Sequence, residues 1–127
     1  MKKKEEKIHV AVCKYLKLAY PDVIFTSESS GIRVPMHTAI QMKKQRSEKG
    51  LPDLLILEPN KFWRGLFIEI KKDHSEVFKK DGAMRNNKHI QEQNEIINRL
   101  LVKRYFCTFG FGFDHIKEII DEYMEHR

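Results

Sequence analysis

The sequence predicts an α/β fold, in which a sheet of about four strands is flanked by helices. Helical and strand-like patterns alternate along the chain in the order αβ(α)ββαβα, which is typical of α/β proteins. No repeat, low-complexity tract or Pro/Gly/Ser-rich linker divides the 127 residues, which are enough to bury a hydrophobic core. We therefore expect one domain that spans residues 1–127.

The first part of the chain is predicted to form a helix, a strand and a second helix. Over residues 3–20 apolar side chains recur at helical spacing, and Pro21 ends this pattern. Residues 23–26 are predicted to form a strand. Residues 37–49 are polar and rich in lysine, and we expect them to form a helix that Gly50 ends.

Two short, apolar strands are predicted next, at residues 53–57 and 65–71, with a turn at Pro59 and Asn60 between them. Asp53 begins the first strand and Glu69 lies near the end of the second. If the two strands pair as a hairpin, Asp53 comes close to Glu69.

The last part of the chain is predicted to continue the alternation. A basic connector over residues 72–88 leads to a helix over about residues 89–103, which buries a stripe of isoleucine and leucine. Residues 105–109 are predicted to form an aromatic strand, and residues 113–124 a closing helix.

The composition is that of a globular, charged protein. Hydrophobic residues make up 41% of the chain and charged residues 33%, which argues against disorder. The net charge of +6 favours an anionic partner such as nucleic acid. No stretch has the length of a membrane span, and the N-terminus lacks the apolar region of a secretory signal. Cys13 and Cys107 form no metal-binding motif, so we expect two buried thiols in a reducing, cytoplasmic setting.

Two carboxylates and a lysine converge in the predicted hairpin. Alternation along the strand puts Glu69 and Lys71 on one face, with Ile70 on the other. Two carboxylates as close as Asp53 and Glu69 repel each other unless a cation lies between them, and oxygen ligands suit Mg²⁺ or Mn²⁺. A lysine beside such a site is suited to the hydrolysis of a phosphodiester, and the pattern therefore favours a nuclease.

These residues also carry a resemblance to a known family. Gly50-Leu51-Pro52-Asp53-Leu54, followed by Leu66-Phe67-Ile68-Glu69-Ile70-Lys71, resembles the PD-(D/E)xK nucleases, and specifically their VRR-NUC branch. The resemblance runs nearly end to end and implies a restriction-endonuclease-like fold with a central mixed sheet. Members of this branch that stand alone are similar to Holliday-junction resolvases and act as homodimers.

The resemblance implies a role for each residue of the motif. Asp53 and Glu69 would hold the divalent ion, Mg²⁺ or Mn²⁺, together with the scissile phosphate, and the carbonyl of Ile70 would supply a further ligand. Lys71 would orient the attacking water or stabilise the charge that grows on the phosphate. A salt bridge to Glu69 is the alternative role of this lysine.

Two helices are expected to contribute further residues. The family carries an acid on its first helix, and Glu5 matches it better than Glu6, because Glu5 lies on the apolar stripe. His9 occupies a position where relatives often carry glutamine. It could have a role in the site or lie on the surface of the helix. Gln93 matches the family's glutamine near the start of the third predicted helix, with Gln91 as the alternative.

Basic residues lie on both sides of the motif in the sequence and could bind phosphates in a salt-dependent way. The candidates for nucleic-acid binding are Arg33, Lys43, Lys44, Arg46, Lys49 and Lys88, with Lys79, Lys80 and Arg85 in the connector. Phe62 and Trp63 could contact a base, a second copy or the domain's own core, and the turn around Phe111 and Phe113 could contact a second copy.

The sequence therefore leads us to expect an Mg²⁺- or Mn²⁺-dependent endodeoxyribonuclease that cuts branched DNA, such as Holliday junctions, as a homodimer. A non-catalytic module that binds structured DNA is one alternative. A flap- or duplex-specific repair nuclease of the same fold is another.

Overall fold

The computed structural model describes residues 2–28 and 35–127 of the chain, and these residues form a sheet with helices on both faces. The helices are α1 (Lys2–Ala19), α2 (Met36–Lys44), α3 (Lys88–Val102) and α4 (Gly112–Met124), with a short 3₁₀ turn at His74–Glu76. The strands are β1 (Phe25–Ser27), β2 (Leu54–Ile56), β3 (Leu66–Lys71) and β4 (Phe106–Phe111).

The sheet is mixed and has the strand order β1-β2-β3-β4. β1, β2 and β3 are antiparallel neighbours, so that β2 and β3 form the predicted hairpin. β4 runs parallel to β3, and α3 lies in the connection between these two strands. The prediction of an α/β fold with a mixed sheet flanked by helices is confirmed.

Alternation along β3 divides the core into two layers. Leu66, Ile68 and Ile70 are fully buried in the layer that α1 and α4 cover. Phe67 points to the opposite face and packs into the layer formed with Ile90 and other apolar residues of α3 and β4. Glu69 and Lys71 have the same parity as Phe67, so they project from the α3 face of the sheet near the end of β3.

Several element boundaries differ from the prediction. β1 begins at Phe25 rather than at Val23, because the N–H of Val23 is bonded to the carbonyl of Tyr20 in the turn after α1. α2 ends at Lys44 instead of residue 49; this helix buries no side chain that could stabilise a longer one. β4 extends to Phe111, because its pairing with β3 continues as far as Lys71.

The two cysteines are not equivalent. Cys107 is 2% exposed, and burial, followed by the nearby Glu69 carboxylate, raises the pKa of its thiol to about 12. Cys13 is only partly buried on α1, so the prediction of two buried thiols is wrong for this residue. Its position falls beside the buried stripe of Ile8 and Val12, and the side chain reaches the open face of the helix.

No helix in the part of the chain that the structure describes is both long and apolar enough to cross a membrane.

Candidate active site

The β2–β3 hairpin brings the Asp53 and Glu69 side chains together. Leu54 is the register partner of Ile68, and Asp53 directly precedes β2, so its side chain lies at the end of the hairpin beside Glu69. Both side chains are buried, at 3% and 5% exposure, and their carboxylates are close enough to share a hydrogen bond when one carries a proton.

The backbone of β3 holds Asp53 in place. Oδ2 of Asp53 accepts a hydrogen bond from the N–H of Ile70 at 2.9 Å. β2 begins only at Leu54, so this side-chain bond stands where a further backbone bond of the hairpin would otherwise form.

Glu69 and Lys71 form a buried pair on one face of β3. The Lys71 Nζ lies 3.8 Å from Oε2 of Glu69, and Lys71 is 7% exposed. Burial raises the pKa of Glu69 well above its usual value, and the adjacent Asp53 raises it further, while Lys71 lowers it. Oε1 of Glu69 is buried with no hydrogen-bond partner among the described residues. Such an orphaned carboxylate oxygen is suited to a cation or a water molecule.

The first turns of α1 bring two more possible ligands to Asp53. Three possible ligand atoms, one each from Glu5, His9 and Asp53, lie within 4.8 Å of one another. Glu69 is not part of this group, although its carboxylate lies beside that of Asp53. Asp53 therefore lies close both to Glu69 and to Glu5 and His9 of α1.

Glu5, rather than Glu6, is the α1 acid that joins this group of ligand atoms. Burial raises the pKa of Glu5, and the negative charges of Glu76 and Asp53 raise it further. Glu6 is not part of the group; it lines an open groove formed by α1 side chains alone. The helical periodicity that favoured Glu5 in the sequence agrees with this arrangement.

His9 lies inside the site and not on the helix surface. Its side chain is 8% exposed, and its Nδ1 is 2.9 Å from the hydroxyl oxygen of Ser27 on β1. Burial lowers the pKa of the imidazole, although the negative charges of Asp53 and Glu6 oppose this effect.

Two residues near the site were not singled out in the sequence. Ser27 approaches because β1 is the neighbour of β2, a pairing that no local pattern specifies. Glu76 lies in the 3₁₀ turn after β3, where Oε2 accepts a hydrogen bond from the backbone N–H of Lys72 at 3.2 Å. The negative charge of Glu76 raises the pKa of Glu5. In the sequence, nothing distinguishes Glu76 from the other acids of the basic connector.

Gln93 and Gln91 have different environments. Gln93 is 4% exposed on the inner side of α3, and its Nε2 is 3.1 Å from Nε2 of His89. Its Oε1 is the second buried side-chain oxygen without a partner among the described residues. Gln91 is exposed and donates to the carbonyl of Arg85 at 3.2 Å. Gln93 therefore has a buried acceptor oxygen, without a partner in the described part of the chain, on the α3 side of the sheet, the side from which Glu69 also projects.

Gly50 fixes the distance between the loop before Asp53 and helix α3. It has a φ of +79°, and a Cβ built there would lie 3.0 Å from the backbone carbon of Glu92 and 3.1 Å from the nitrogen of Gln93. Any other residue would be strained by the backbone angle and would press on α3. The glycine of the motif thus lets the Asp53 loop lie directly against the helix turn that carries Gln93.

The chain is similar to a solved structure over nearly its whole length. No protein-family model matches the chain, and no curated protein matches it. A solved structure described as a VRR_NUC domain protein matches with a TM-score of 0.66 and 23% sequence identity, over 97% of this chain and 89% of that one. This chain has the fold of a VRR_NUC domain. The resemblance noted in the sequence is therefore matched by the three-dimensional structure.

Within this VRR_NUC-type fold, the basic residues lie mainly in exposed positions. Arg46 forms an ion pair with Glu28 and is partly buried. Arg33 lies outside the described residues. The exposed candidates for contact with nucleic acid are Lys43, Lys44, Lys49, Lys79, Lys80, Arg85 and Lys88.

The aromatic residues proposed as contacts are mostly used inside the chain. Trp63 packs against Phe106, with 5.3 Å between ring centroids, and joins the core. Phe111 packs among the aromatic side chains of the α3 layer, and Phe113 stacks edge-on against Tyr15. Phe62 is the exception, since 56% of its side chain is exposed.

The donor set around Asp53 fits a divalent cation. The carboxylates of Glu5, Asp53 and Glu69 lie close to one another; Asp53 and Glu69 are buried, Glu5 is partly buried, and Glu69 carries an orphaned oxygen. Carboxylates that close are costly to keep ionised without a compensating positive charge. Lys71 supplies one such charge to Glu69, and a cation beside Asp53 would supply the other.

Proposed function

We propose that the protein is an Mg²⁺- or Mn²⁺-dependent endodeoxyribonuclease that hydrolyses phosphodiester bonds in branched DNA. The observation that carries the proposal is the buried Asp53 carboxylate, which lies close both to Glu69 of β3 and to the ligand atoms of α1. The VRR_NUC-type fold supports it, because the same motif residues carry the sequence resemblance to nucleases.

In this proposal Asp53 and Glu69 hold the cation, with Glu5 and the carbonyl of Ile70 as further ligands. The bound cation supplies positive charge that polarises the phosphoryl oxygen and makes an attacking water more acidic. The hydrogen bond from the N–H of Ile70 keeps the Asp53 carboxylate in one orientation, so little reorganisation is needed as the reaction proceeds.

Lys71 stabilises the negative charge that develops on the phosphate. The ammonium is 3.8 Å from Glu69, longer than a direct hydrogen bond, so it can move toward a substrate phosphate without first breaking a tight pair. Its burial strengthens this interaction, because water screens it little.

Gln93 is proposed to bind a water molecule or a group of the substrate through its amide. The orphaned Oε1 accepts a hydrogen bond, and Nε2 is already held near His89. The exposed lysines on either side of the motif would bind phosphates further along the DNA, with Lys43, Lys44, Lys49 and Lys88 as the first candidates.

The proposed substrate is branched DNA, and the proposed assembly is a homodimer within the cell's DNA-containing compartment. A four-way junction has two symmetry-related strands to cut, and the chain carries one Asp53-centred site. A C₂ dimer presents two sites in matching symmetry.

The proposal is tested by incubating the purified protein with Mg²⁺ or Mn²⁺ and four DNA substrates: a four-way junction, a flap, a duplex and a single strand. We expect cleavage of the junction that stops when the ion is chelated. Glu5→Gln should lose activity, whereas the matched neighbour Glu6→Gln should retain it. Junction binding without cleavage under every ion condition would favour a non-catalytic DNA-binding module instead.

A further inference from the structure

The α1 side of the site contains a nitrogen donor among the carboxylates. Glu5 and His9 are one helical turn apart, and a ring nitrogen of His9 lies within 4.8 Å of the ligand atoms of Glu5 and Asp53. The imidazole is almost completely buried, at 8% exposure. Mg²⁺ is bound through oxygen, so a site for that ion alone has no need of the ring.

The ring is held by the same part of the sheet that positions Asp53. Nδ1 of His9 is 2.9 Å from the hydroxyl of Ser27, and Ser27 pairs with Leu54, the residue after Asp53. A histidine that binds a metal is commonly oriented by a hydrogen bond from its other ring nitrogen. With Nδ1–H donating to Ser27, the lone pair of Nε2 remains for an ion.

A second, independent observation supports an ion beside Asp53. Oε1 of Glu69 is buried and has no hydrogen-bond partner among the described residues, and the Glu69 carboxylate lies beside Asp53. His9 and Ser27 also line an open groove of about 430 Å³ beside α1, so the imidazole borders solvent on that side.

We propose that His9 is a nitrogen ligand of the divalent ion, and that it makes the site prefer Mn²⁺ to Mg²⁺. The proposal rests on the metal-dependent function proposed above and adds the choice of metal to it. Imidazole nitrogen binds first-row transition ions well, whereas Mg²⁺ favours oxygen in a strict octahedron and gives up its waters reluctantly. A site of mixed oxygen and nitrogen donors therefore discriminates between the two ions.

The first experiment measures ion binding by calorimetry in the absence of DNA. His9→Gln should weaken Mn²⁺ binding by about tenfold or more, and Mg²⁺ binding by less than about threefold. His37→Gln, at an exposed histidine of α2, is the matched control and should change neither affinity. Equal affinities of wild type and His9→Gln for Mn²⁺ would overturn the proposal.

The second experiment detects the ligand directly and needs no variant that must fold. Pulsed electron paramagnetic resonance of Mn²⁺ bound to wild type should show coupling to a histidine nitrogen, and labelling histidine with ¹⁵N should change that coupling. The absence of nitrogen coupling in the Mn²⁺-bound protein would show that His9 only packs beside the site.

An Asp53→Asn variant separates failure of this inference from failure of the proposed function. If Asp53→Asn abolishes Mn²⁺ binding while His9→Gln leaves it unchanged, the ion site stands and the histidine ligand is rejected. If the wild type binds neither ion, both proposals are rejected together. Ser27→Ala should weaken Mn²⁺ binding less than His9→Gln, because it removes only the group that orients the ring.

Discussion

The carboxylate of Asp53 accepts a hydrogen bond from the backbone N–H of Ile70, with 2.9 Å between Oδ2 and the nitrogen. Ile70 lies between Glu69 and Lys71, whose side chains project to the opposite face of β3. One backbone contact therefore fixes the position of Asp53 relative to both residues. This bond joins the two halves of the motif, which lie sixteen residues apart in the sequence.

Asp53→Ala and Glu69→Ala should each abolish metal-dependent cleavage while leaving DNA binding largely intact. Each removes a proposed ligand, and losing several kcal/mol of stabilisation in the transition state lowers the rate by about 10³-fold or more. Single-turnover cleavage and a gel-shift assay measure the two properties separately. Glu118→Ala, an exposed acid of α4, serves as the control. A folded double variant that cleaves at the wild-type rate would falsify the role of these residues.

Lys71→Ala should slow cleavage strongly with little loss of ion affinity. Lysine cannot bind a cation, and its positive charge near Glu69 opposes ion binding there. Single-turnover rates at saturating Mn²⁺ test the prediction, and we expect a loss of about 10²-fold or more. If extra metal restores the rate of the variant, Lys71 serves the ion site and not the reacting phosphate.

Glu69→Gln should stabilise the metal-free protein at neutral and higher pH. Burial raises the pKa of Glu69 in the folded protein above the unfolded value, so the fold favours the protonated form. The stability that Glu69 contributes is therefore fully present below about pH 4.5, its pKa in the unfolded chain. That stability is lost as the pH rises through the higher pKa of Glu69 in the folded protein. The variant keeps a neutral side chain and avoids this loss.

Urea denaturation in the presence of a chelator tests this at about pH 4 and about pH 8. The variant should gain stability relative to wild type as the pH rises from the lower to the higher value. Added Mn²⁺ should stabilise wild type more than the variant. A difference between the two proteins that does not change with pH would contradict the prediction.

DNA binding should weaken with salt, because the proposed contacts are phosphates met by lysine. Changing Lys43, Lys44 and Lys49 to glutamine should flatten the slope of log affinity against log salt by up to about 2.7, since each phosphate contact contributes about 0.9. Arg46 is left unchanged because its guanidinium is paired with Glu28.

The control for this experiment removes the same charge elsewhere. Lys17, Lys61 and Lys103 are also exposed, and changing these three to glutamine lowers the net charge equally. If both triple variants flatten the slope to the same extent, the DNA surface is not formed by the lysines around α2.

The sequence was informative about the hairpin and less so about what surrounds it. Strand alternation and a single turn were enough to predict that Asp53 and Glu69 meet, because both depend on local patterns. Ser27 and Glu76 reach the site through the pairing of β1 with β2 and through the turn after β3. Contacts of this kind depend on tertiary structure and leave no periodicity in the sequence.

The end of α2 and the exposure of Cys13 were predicted wrongly because both depend on packing rather than on local pattern. The helix predicted over residues 37–49 ends at Lys44, because helical propensity alone cannot hold a segment that buries no side chain. Cys13 was expected to be buried from its residue type, whereas its angle around α1 decides its exposure.

Phe62 is the aromatic side chain that is available for contact with a second copy of the chain. With Trp63, Phe111 and Phe113 packed inside the chain, Phe62 remains as the exposed aromatic candidate. It borders a groove of about 340 Å³ that is lined largely by aromatic and histidine side chains at the β4 edge of the sheet. An exposed ring beside such a groove is suited to a self-complementary interface.

Sedimentation at micromolar concentration should therefore give about twice the chain mass of 15.2 kDa. Phe62→Ser should shift the protein toward the monomer and reduce paired cutting of a four-way junction, while single cuts persist because the Asp53-centred site is unchanged. Val102→Ser is the matched control, since Val102 is 85% exposed at the end of α3 and does not line the groove. A strict wild-type monomer that still makes symmetric, paired cuts would show that the two strands are cut without a dimer.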